Sequence, residues 1–403
     1  MQRVLVSNQA GQPPPAVRPV LLRLAFRPFF LLGSLFSVVS LLLWAAIWAG
    51  TIEPTVYGGA LWWHMHEMLF GFVCAIVVGF LLTAVQNWTG IPGVKGGKLL
   101  GLVLLWLAAR VMLYFPAPFP HWLIALVDLS FLPLAALAMA SFVARVQQWR
   151  NFIFVPVLLA MASVNGVMHW SAWMGETRLQ TEAGTVMVLL ISLLMSTMAG
   201  RVVPMFTANG TGTPRVADIP RLETAAMLTM LLAVLAGASA RQLPPTVVAA
   251  CMLLAAATLF VRGLRWRIWV TFRTPLLWSL HLSYWCIPLG LFLFGMSQLT
   301  GQPAHSQVIH TLTVGAMGMM ILAMISRVSL GHTGRPLQVG RTMVVAFVAA
   351  FAAFVIRVFG VYWISDYTHL ITAAAALWAL AYGCFLVIYV PILTRPRLDG
   401  GPG

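Results

Sequence analysis

Apolar runs close to twenty residues long recur along the chain, from residue 29 to residue 393. A run of about 20 apolar residues is long enough to cross the hydrocarbon core of a bilayer as a helix. Inside lipid the backbone must satisfy its hydrogen bonds internally, which favours helices. Of the 403 residues, 61% are hydrophobic and 8% are charged, so no soluble domain is left over. We therefore expect an all-α polytopic membrane protein with about twelve transmembrane helices.

Hydropathy windows of about nineteen residues place the individual spans. The predicted spans are 29–50, 66–88, 98–115, 121–144, 152–173, 184–206, 222–240, 245–261, 276–296, 306–327, 342–363 and 367–393. Residues 1–28 lack an apolar core and a small-residue cleavage site, so we expect no cleaved signal peptide there. The domain prediction is a cytoplasmic segment over 1–28, a twelve-helix domain over 29–393 and a cytoplasmic tail over 394–403.

Lys and Arg are concentrated in the loops of one face. The opposite face carries only Arg178 and Arg241, while Arg110 and Arg357 lie inside predicted spans. Since cytoplasmic loops collect basic residues, both termini are predicted to be cytoplasmic. The net charge of +15 does not indicate nucleic-acid binding, because the basic residues form no stripe with interleaved aromatic residues.

A weak threefold similarity links the second, sixth and tenth spans. They end in QNWTG (86–90), GRVVPMFTANGTG (200–212) and SRVSLGHTG (326–334). His66 lies 24 residues before Gly90, and His310 lies 24 before Gly334. Membrane folds are often built from duplicated helix groups, so three four-helix repeats are a hypothesis, and chance similarity is the alternative.

Most of the nine histidines fall at or near the predicted outer face, and only His281 and His332 fall on the inner side. A single interfacial histidine is usually a tolerated polar group at a helix end. Seven together point to chemistry, because imidazole is the commonest metal ligand and ionisable groups within spans are candidates for function. The seven are His64, His66, His121, His169, His305, His310 and His369.

Spacing limits which of these histidines can share a ligand. His64 and His66 are two residues apart, so they point in different directions on one helix. They converge only if His64 precedes the helix and His66 lies in its first turn. His305 and His310 are about 140° apart on an ideal helix, and His310 is the better intramembrane ligand. The glycines and methionines that follow His310 would let a flat group approach the backbone closely. The alternative is that they serve ordinary packing between helices.

Each intramembrane arginine calls for a partner. Asp128 lies on the helix after Arg110 at similar depth, which predicts a structural ion pair. No carboxylate is evident for Arg357, so a haem propionate is one candidate partner. The chain has no CxxCH motif, and any haem would be noncovalent. Asp128 is the only carboxylate well inside a predicted span, which disfavours ion-coupled transport.

Five segments together resemble the NnrS family. They are FRPFF (26–30), WHMHEMLFGF (63–72), NWTG (87–90), GRVVPMFT (200–207) and HTLTVGAMGMMILAMISRVSLGHTGRP (310–336). They are spread over the entire chain. The resemblance implies a protein of the bacterial inner membrane that contains haem and copper and is associated with denitrification and resistance to nitric oxide.

The predicted architecture is also similar to the catalytic subunit of haem-copper oxidases, a pseudo-threefold twelve-helix bundle with histidine ligands on its second and tenth helices. By that analogy we expect His66 and His310 to bind haem b, with Arg357 at the cofactor. His64, His169 and His305 are the expected ligands of copper or another second metal, with His121 and His369 in reserve. Catalytic roles are expected for Glu67, which could relay protons or orient a ligand, and for the metal ligands His64 and His169.

The leading functional hypothesis is an oxidoreductase that reduces nitric oxide to nitrous oxide. Its electrons would come from quinol or from a small periplasmic donor, since the chain has no dinucleotide fingerprint. The metal site is expected to face the periplasm. Two alternatives remain open: a protein that binds nitric oxide or metal without turnover, and a solute transporter whose histidines bind substrate.

Overall fold

A computed structural model describes residues 19–401 of the chain. Twelve of its helices are long and apolar enough to cross a membrane, as the sequence predicts. Residues 19–401 contain no β-strand. In chain order, the spans are Phe26–Trp48, Ala60–Thr89, Gly97–Tyr114, His121–Arg145, Trp149–Met174, Thr177–Thr211, Pro220–Ala238, Pro245–Arg265, Pro275–Thr300, His305–His332, Arg341–Tyr362 and Tyr367–Thr394.

The second and sixth spans are longer than the hydropathy windows indicate. The second begins at Ala60 instead of residue 66, because its first turns carry tryptophan and histidine and score as interfacial. The sixth begins at Thr177 instead of residue 184 for a similar reason, since its first turns are polar. His64 therefore lies inside the helix, and the condition under which it could converge with His66 is not met.

Four spans form the centre of the bundle. About 78% of the apolar window of the second span is buried, against 67% for the sixth and ninth and 72% for the tenth, while the other eight lie between 33% and 44%. The three spans that the sequence similarity relates are thus all central. The threefold repeat and the likeness to haem-copper oxidases remain predictions.

The second and tenth spans share a local irregularity. Each contains a π-helical segment, Glu67–Val73 in the second and Thr311–Gly318 in the tenth, which begins directly after His66 and His310 respectively. Such wide turns are rare and often mark functional sites. Gly90 and Gly334, after these two helices, have positive φ angles of 70° and 69°. Glycine adopts this conformation without steric cost, which explains the shared Gly-containing endings.

Ion pairs and hydrogen bonds tie the ends of the spans together. The Arg27 guanidinium in the first span donates to the carbonyl oxygens of Leu393 and Arg395, at 2.7 and 2.9 Å, so the first span begins where the twelfth ends. At the opposite end, Arg241 binds carboxylate oxygens of Glu176 and Glu182. An even number of spans requires the first and last to begin and end at one face, as observed.

Candidate functional site

A group of buried polar side chains lies where the second, third, fourth and fifth spans meet. All are less than one-tenth exposed, and we call this group the buried cluster. Its members are His66, Glu67, Arg110, Asp128, Asn165 and His169.

Asp128 is the centre of the buried cluster. Its Oδ2 atom lies 3.1 Å from His66 Nε2 and 3.1 Å from His169 Nε2, and it accepts a hydrogen bond of 2.7 Å from the Asn165 amide. The second nitrogen of His66, Nδ1, lies 3.0 Å from Glu67 Oε1. Suitable ligand atoms of His66, Asp128 and His169 all lie within 4.8 Å of one another, which is close enough for one metal ion.

Arg110 neutralises much of the negative charge in the buried cluster. Its guanidinium donates to Glu67 Oε1 at 2.7 Å and to Asp128 Oδ1. The predicted ion pair between Arg110 and Asp128 is confirmed. The sequence reasoning missed Glu67 as a second partner of Arg110 and missed Asn165 altogether. Asn165 lies four residues before His169, and that spacing puts both on one helix face.

Tyr57 connects the buried cluster to the loop between the first and second spans. Its hydroxyl lies 3.3 Å from His169 Nδ1, and its ring centroid is 5.2 Å from that of His121. Burial, with a smaller effect from the Asp128 carboxylate, raises the pKa of Tyr57 above its ordinary value. The hydroxyl therefore stays protonated at neutral pH, and its oxygen can accept a hydrogen bond from His169 Nδ1–H.

A separate cavity of about 420 Å³ lies among the first, second, sixth, tenth, eleventh and twelfth spans. Its lining is mostly apolar but includes His64, His305, His310 and Arg357, and we call it the histidine cavity. Its size falls within the roughly 300–1,000 Å³ that ligand pockets usually have. Methionine sulfur is also available, because Met65, Met68 and Met317 line the same space.

The three histidines of the cavity have ring nitrogens available for a ligand. His310 Nδ1 lies 2.7 Å from the Ser306 carbonyl oxygen, to which it must donate, so its Nε2 carries a free lone pair. The His64 ring stacks on Trp44 with centroids 4.3 Å apart, and its Nδ1 is buried without a hydrogen-bond partner. His305 Nε2 has one contact, at 3.3 Å from the Thr185 hydroxyl.

Arg357 brings a positive charge to the histidine cavity. One guanidinium nitrogen donates to the Ser306 hydroxyl at 3.0 Å, while Nη1 is buried without a hydrogen-bond partner. Among residues 19–401, no carboxylate forms an ion pair with Arg357. Since arginine binds carboxylates through paired N–H groups, this arrangement suits an anionic ligand such as a haem propionate.

The structure divides the predicted site residues between two places. His64, His305, His310 and Arg357 line the histidine cavity, whereas His66, Glu67 and His169 belong to the buried cluster. The two expected haem ligands, His66 and His310, therefore lie in different sites, His66 in the buried cluster and His310 in the histidine cavity. His169 is likewise separated from His64 and His305. The physical reason is the two-residue spacing of His64 and His66, which turns them to different faces of one helix.

The two reserve histidines lie outside both sites. His121 is exposed and begins the fourth span, next to Tyr57. The His369 side chain is 81% exposed and pairs with Asp366 at 2.9 Å.

The fold and these sites define a twelve-span membrane protein with two histidine-rich centres, each suited to a metal or metal-containing cofactor. The chain belongs to the NnrS protein family, whose match extends over residues 20–397. This family of membrane proteins is linked to the response to nitric oxide. A comparison with curated proteins found no match.

Proposed function

We propose that the protein binds haem b and copper in the histidine cavity and reduces nitric oxide to nitrous oxide. The observation that carries this proposal is the combination, in one apolar cavity, of three histidines with uncommitted ring nitrogens and an arginine that has no carboxylate partner among residues 19–401. Imidazole nitrogen suits iron and copper, and thioether sulfur suits copper(I).

The available donor atoms suggest which residues would bind haem and which would bind copper. His310 and His64 are the candidate haem ligands, since His310 Nε2 and His64 Nδ1 lack protein partners. Here His64 replaces the originally expected His66, which lies in the buried cluster. Arg357 would bind a propionate, and His305 with Met65 would hold copper. When bound, haem would pass on electrons and copper would hold nitric oxide.

The protein's own contribution is to confine the reactants. Nitric oxide is small and weakly polar, so the apolar lining favours its entry over that of ions. Holding two molecules within one cavity replaces a bimolecular encounter with a local one. The balanced reaction joins two molecules of nitric oxide with two electrons and two protons to give nitrous oxide and water. The electrons would come from quinol or a periplasmic donor.

The proposed setting is the bacterial inner membrane, with both termini in the cytoplasm and the histidine cavity toward the periplasm. Most basic residues lie in loops of one face, which is the usual cytoplasmic pattern. The two exceptions form ion pairs, Arg178 with Glu182 and Arg241 with Glu176 and Glu182. Their positive charge is thus locally cancelled.

The test is an absorption spectrum of the purified protein, reduced and then titrated anaerobically with nitric oxide. We expect a haem b spectrum in the wild type, and many equivalents of nitric oxide converted to nitrous oxide when a reductant is supplied. His310→Ala and His64→Ala should lose the haem signal. His369→Ala is the matched control, because this histidine is exposed and lies outside the cavity.

Two results would contradict the proposal in different ways. Consumption that stops after one equivalent of nitric oxide would indicate a binding protein without turnover. A wild-type protein without haem, purified from cells that supply haem to other proteins, would remove the basis for the reductase, and uptake of solutes into vesicles would then be measured.

A further inference from the structure

We propose that the buried cluster is a second, independent metal site, in which His66, His169, Asp128 and Asn165 bind one six-coordinate divalent metal of the iron(II) or manganese(II) type. This inference goes beyond the proposed function, because that function uses only the histidine cavity.

Ligand atoms from three different spans converge on one point in the buried cluster. His66 Nε2 and His169 Nε2 come from the second and fifth spans and both point at Asp128 Oδ2, which comes from the fourth. The Asn165 carbonyl oxygen lies 2.9 Å from His66 Nε2 and supplies a fourth donor. Two histidines and one carboxylate around a common point form the ligand set typical of non-haem iron(II) sites.

The ring nitrogens that point away from the proposed metal, Nδ1 of His66 and of His169, also have partners. Metal-binding histidines usually hydrogen-bond through their other ring nitrogen, which fixes the tautomer and the ring orientation. Here His66 Nδ1 is held by Glu67 Oε1 at 3.0 Å, and His169 Nδ1 by the Tyr57 hydroxyl at 3.3 Å. Each ring is thereby oriented with Nε2 toward the proposed metal position. The His66 ring is further fixed by stacking on Trp62, with centroids 4.4 Å apart.

The distances between the ligand atoms can be compared with those of known coordination geometries. Metal bonds to imidazole nitrogen and carboxylate oxygen are about 2.0–2.2 Å long. Two donors at a right angle, as in an octahedron, are then about 3 Å apart, whereas tetrahedral donors are about 3.4 Å apart. The donor separations around Asp128 Oδ2 and His66 Nε2 are 2.9 to 3.1 Å. These values match octahedral donors and are also ordinary hydrogen-bond distances, so the preference for a six-coordinate metal rests on the ligand types.

The charge balance of the buried cluster also bears on metal binding. Arg110 engages Asp128 through Oδ1, which leaves Oδ2 facing the histidines. Glu67 and Asp128 carry two negative charges against the single charge of Arg110. One negative charge in a fully buried place is therefore left to be balanced by a protonated His66 or by a bound cation. A buried charge is costly unless it is paired, so a bound cation stabilises this arrangement.

The test measures metal in the full-length protein purified in detergent. Cells are supplied with iron and manganese, and bound metals are counted by mass spectrometry alongside haem by its pyridine absorption. We expect about one non-haem iron or manganese per chain in the wild type, counted separately from copper. Chelator-treated protein is then titrated anaerobically with iron(II) alone. His169→Ala should weaken binding more than 100-fold, and Glu67→Gln about 10–100-fold, as outer-sphere changes usually do.

A matched control separates this proposal from the proposed function. His305→Ala changes the histidine cavity and should leave the non-haem iron or manganese in place, and His169→Ala should leave the haem in place. Retained helical circular dichroism and retained haem show that a variant is folded. A wild type that contains no non-haem iron or manganese and takes up no iron(II) would overturn the proposal, as would unchanged iron(II) affinity in His169→Ala. The cluster would then be an ion-pair network only.

Discussion

Arg110 offers a direct test of how the buried cluster contributes to stability. Its guanidinium binds the carboxylates of Glu67 and Asp128, whose side chains are 0% and 2% exposed. Arg110→Met keeps much of the side-chain volume but leaves both carboxylates without their cation. A hydrogen bond to a charged group contributes about 1.5–3 kcal/mol, so losing two should cost about 3–6 kcal/mol. Removing one partner of a buried ion pair has a similar cost.

The assay is reversible unfolding in mixed micelles, followed by tryptophan fluorescence with a chelator present so that bound metal does not contribute. We expect Arg110→Met to lower the free energy of unfolding by about 3–5 kcal/mol. The matched control is Arg178→Met, because this arginine is 73% exposed and its ion pair should contribute little. Adding Glu67→Gln to Arg110→Met should cost less than the sum of the two single changes, since one buried charge is then removed with its partner. If Arg110→Met unfolds within about 1 kcal/mol of the wild type, the ion-pair reasoning is refuted.

Three further predictions concern other parts of the molecule. Ala374→Trp places a bulky ring in the histidine cavity and should abolish haem binding with helical content unchanged, whereas Leu380→Trp on the exposed side of the same span should not. The Asp366 side chain accepts hydrogen bonds from the first backbone N–H groups of the last span, which holds its pKa below the usual range. Hydrogen-exchange protection of that turn should therefore persist at neutral pH and decline only as the pH falls through the lowered pKa. In Asp366→Ala it should be lost at all pH values, and equal protection in the variant would refute the capping role of Asp366. Finally, a cysteine replacing Arg178 should react with a membrane-impermeant thiol reagent in whole cells, and one replacing Arg215 should not; the reverse pattern would invert the proposed orientation.

The sequence was sufficient for the number and order of the spans, because each is an apolar run long enough to cross a bilayer. It also predicted the pair of Arg110 and Asp128, since an intramembrane charge requires a partner at similar depth. Helix ends were less accurate, by six residues for the second span. Hydropathy windows detect the apolar centre of a helix and not its polar first turns.

The partition of the histidines could not be predicted from the sequence. Hydropathy gives the depth of a residue in the membrane but not the direction in which it points around the helix. His64 and His66 have nearly the same depth, yet one lines the histidine cavity and the other contacts Asp128. Asn165 was missed because an isolated amide in an apolar run gives no sign of its partners.

The π-helical segments after His66 and His310 have a consequence for insertions and deletions. A wide turn accommodates an additional residue, so the parts of the helix before and after it are out of phase with a regular α-helix. Deleting one residue within 67–73 would restore the regular period and rotate His66 by about 100° relative to the inner half of its span. The same holds for His310 and residues 311–318. Shortening either helix by a single residue would thus redirect its histidine, together with the rest of the helix before the wide turn, relative to the part that follows.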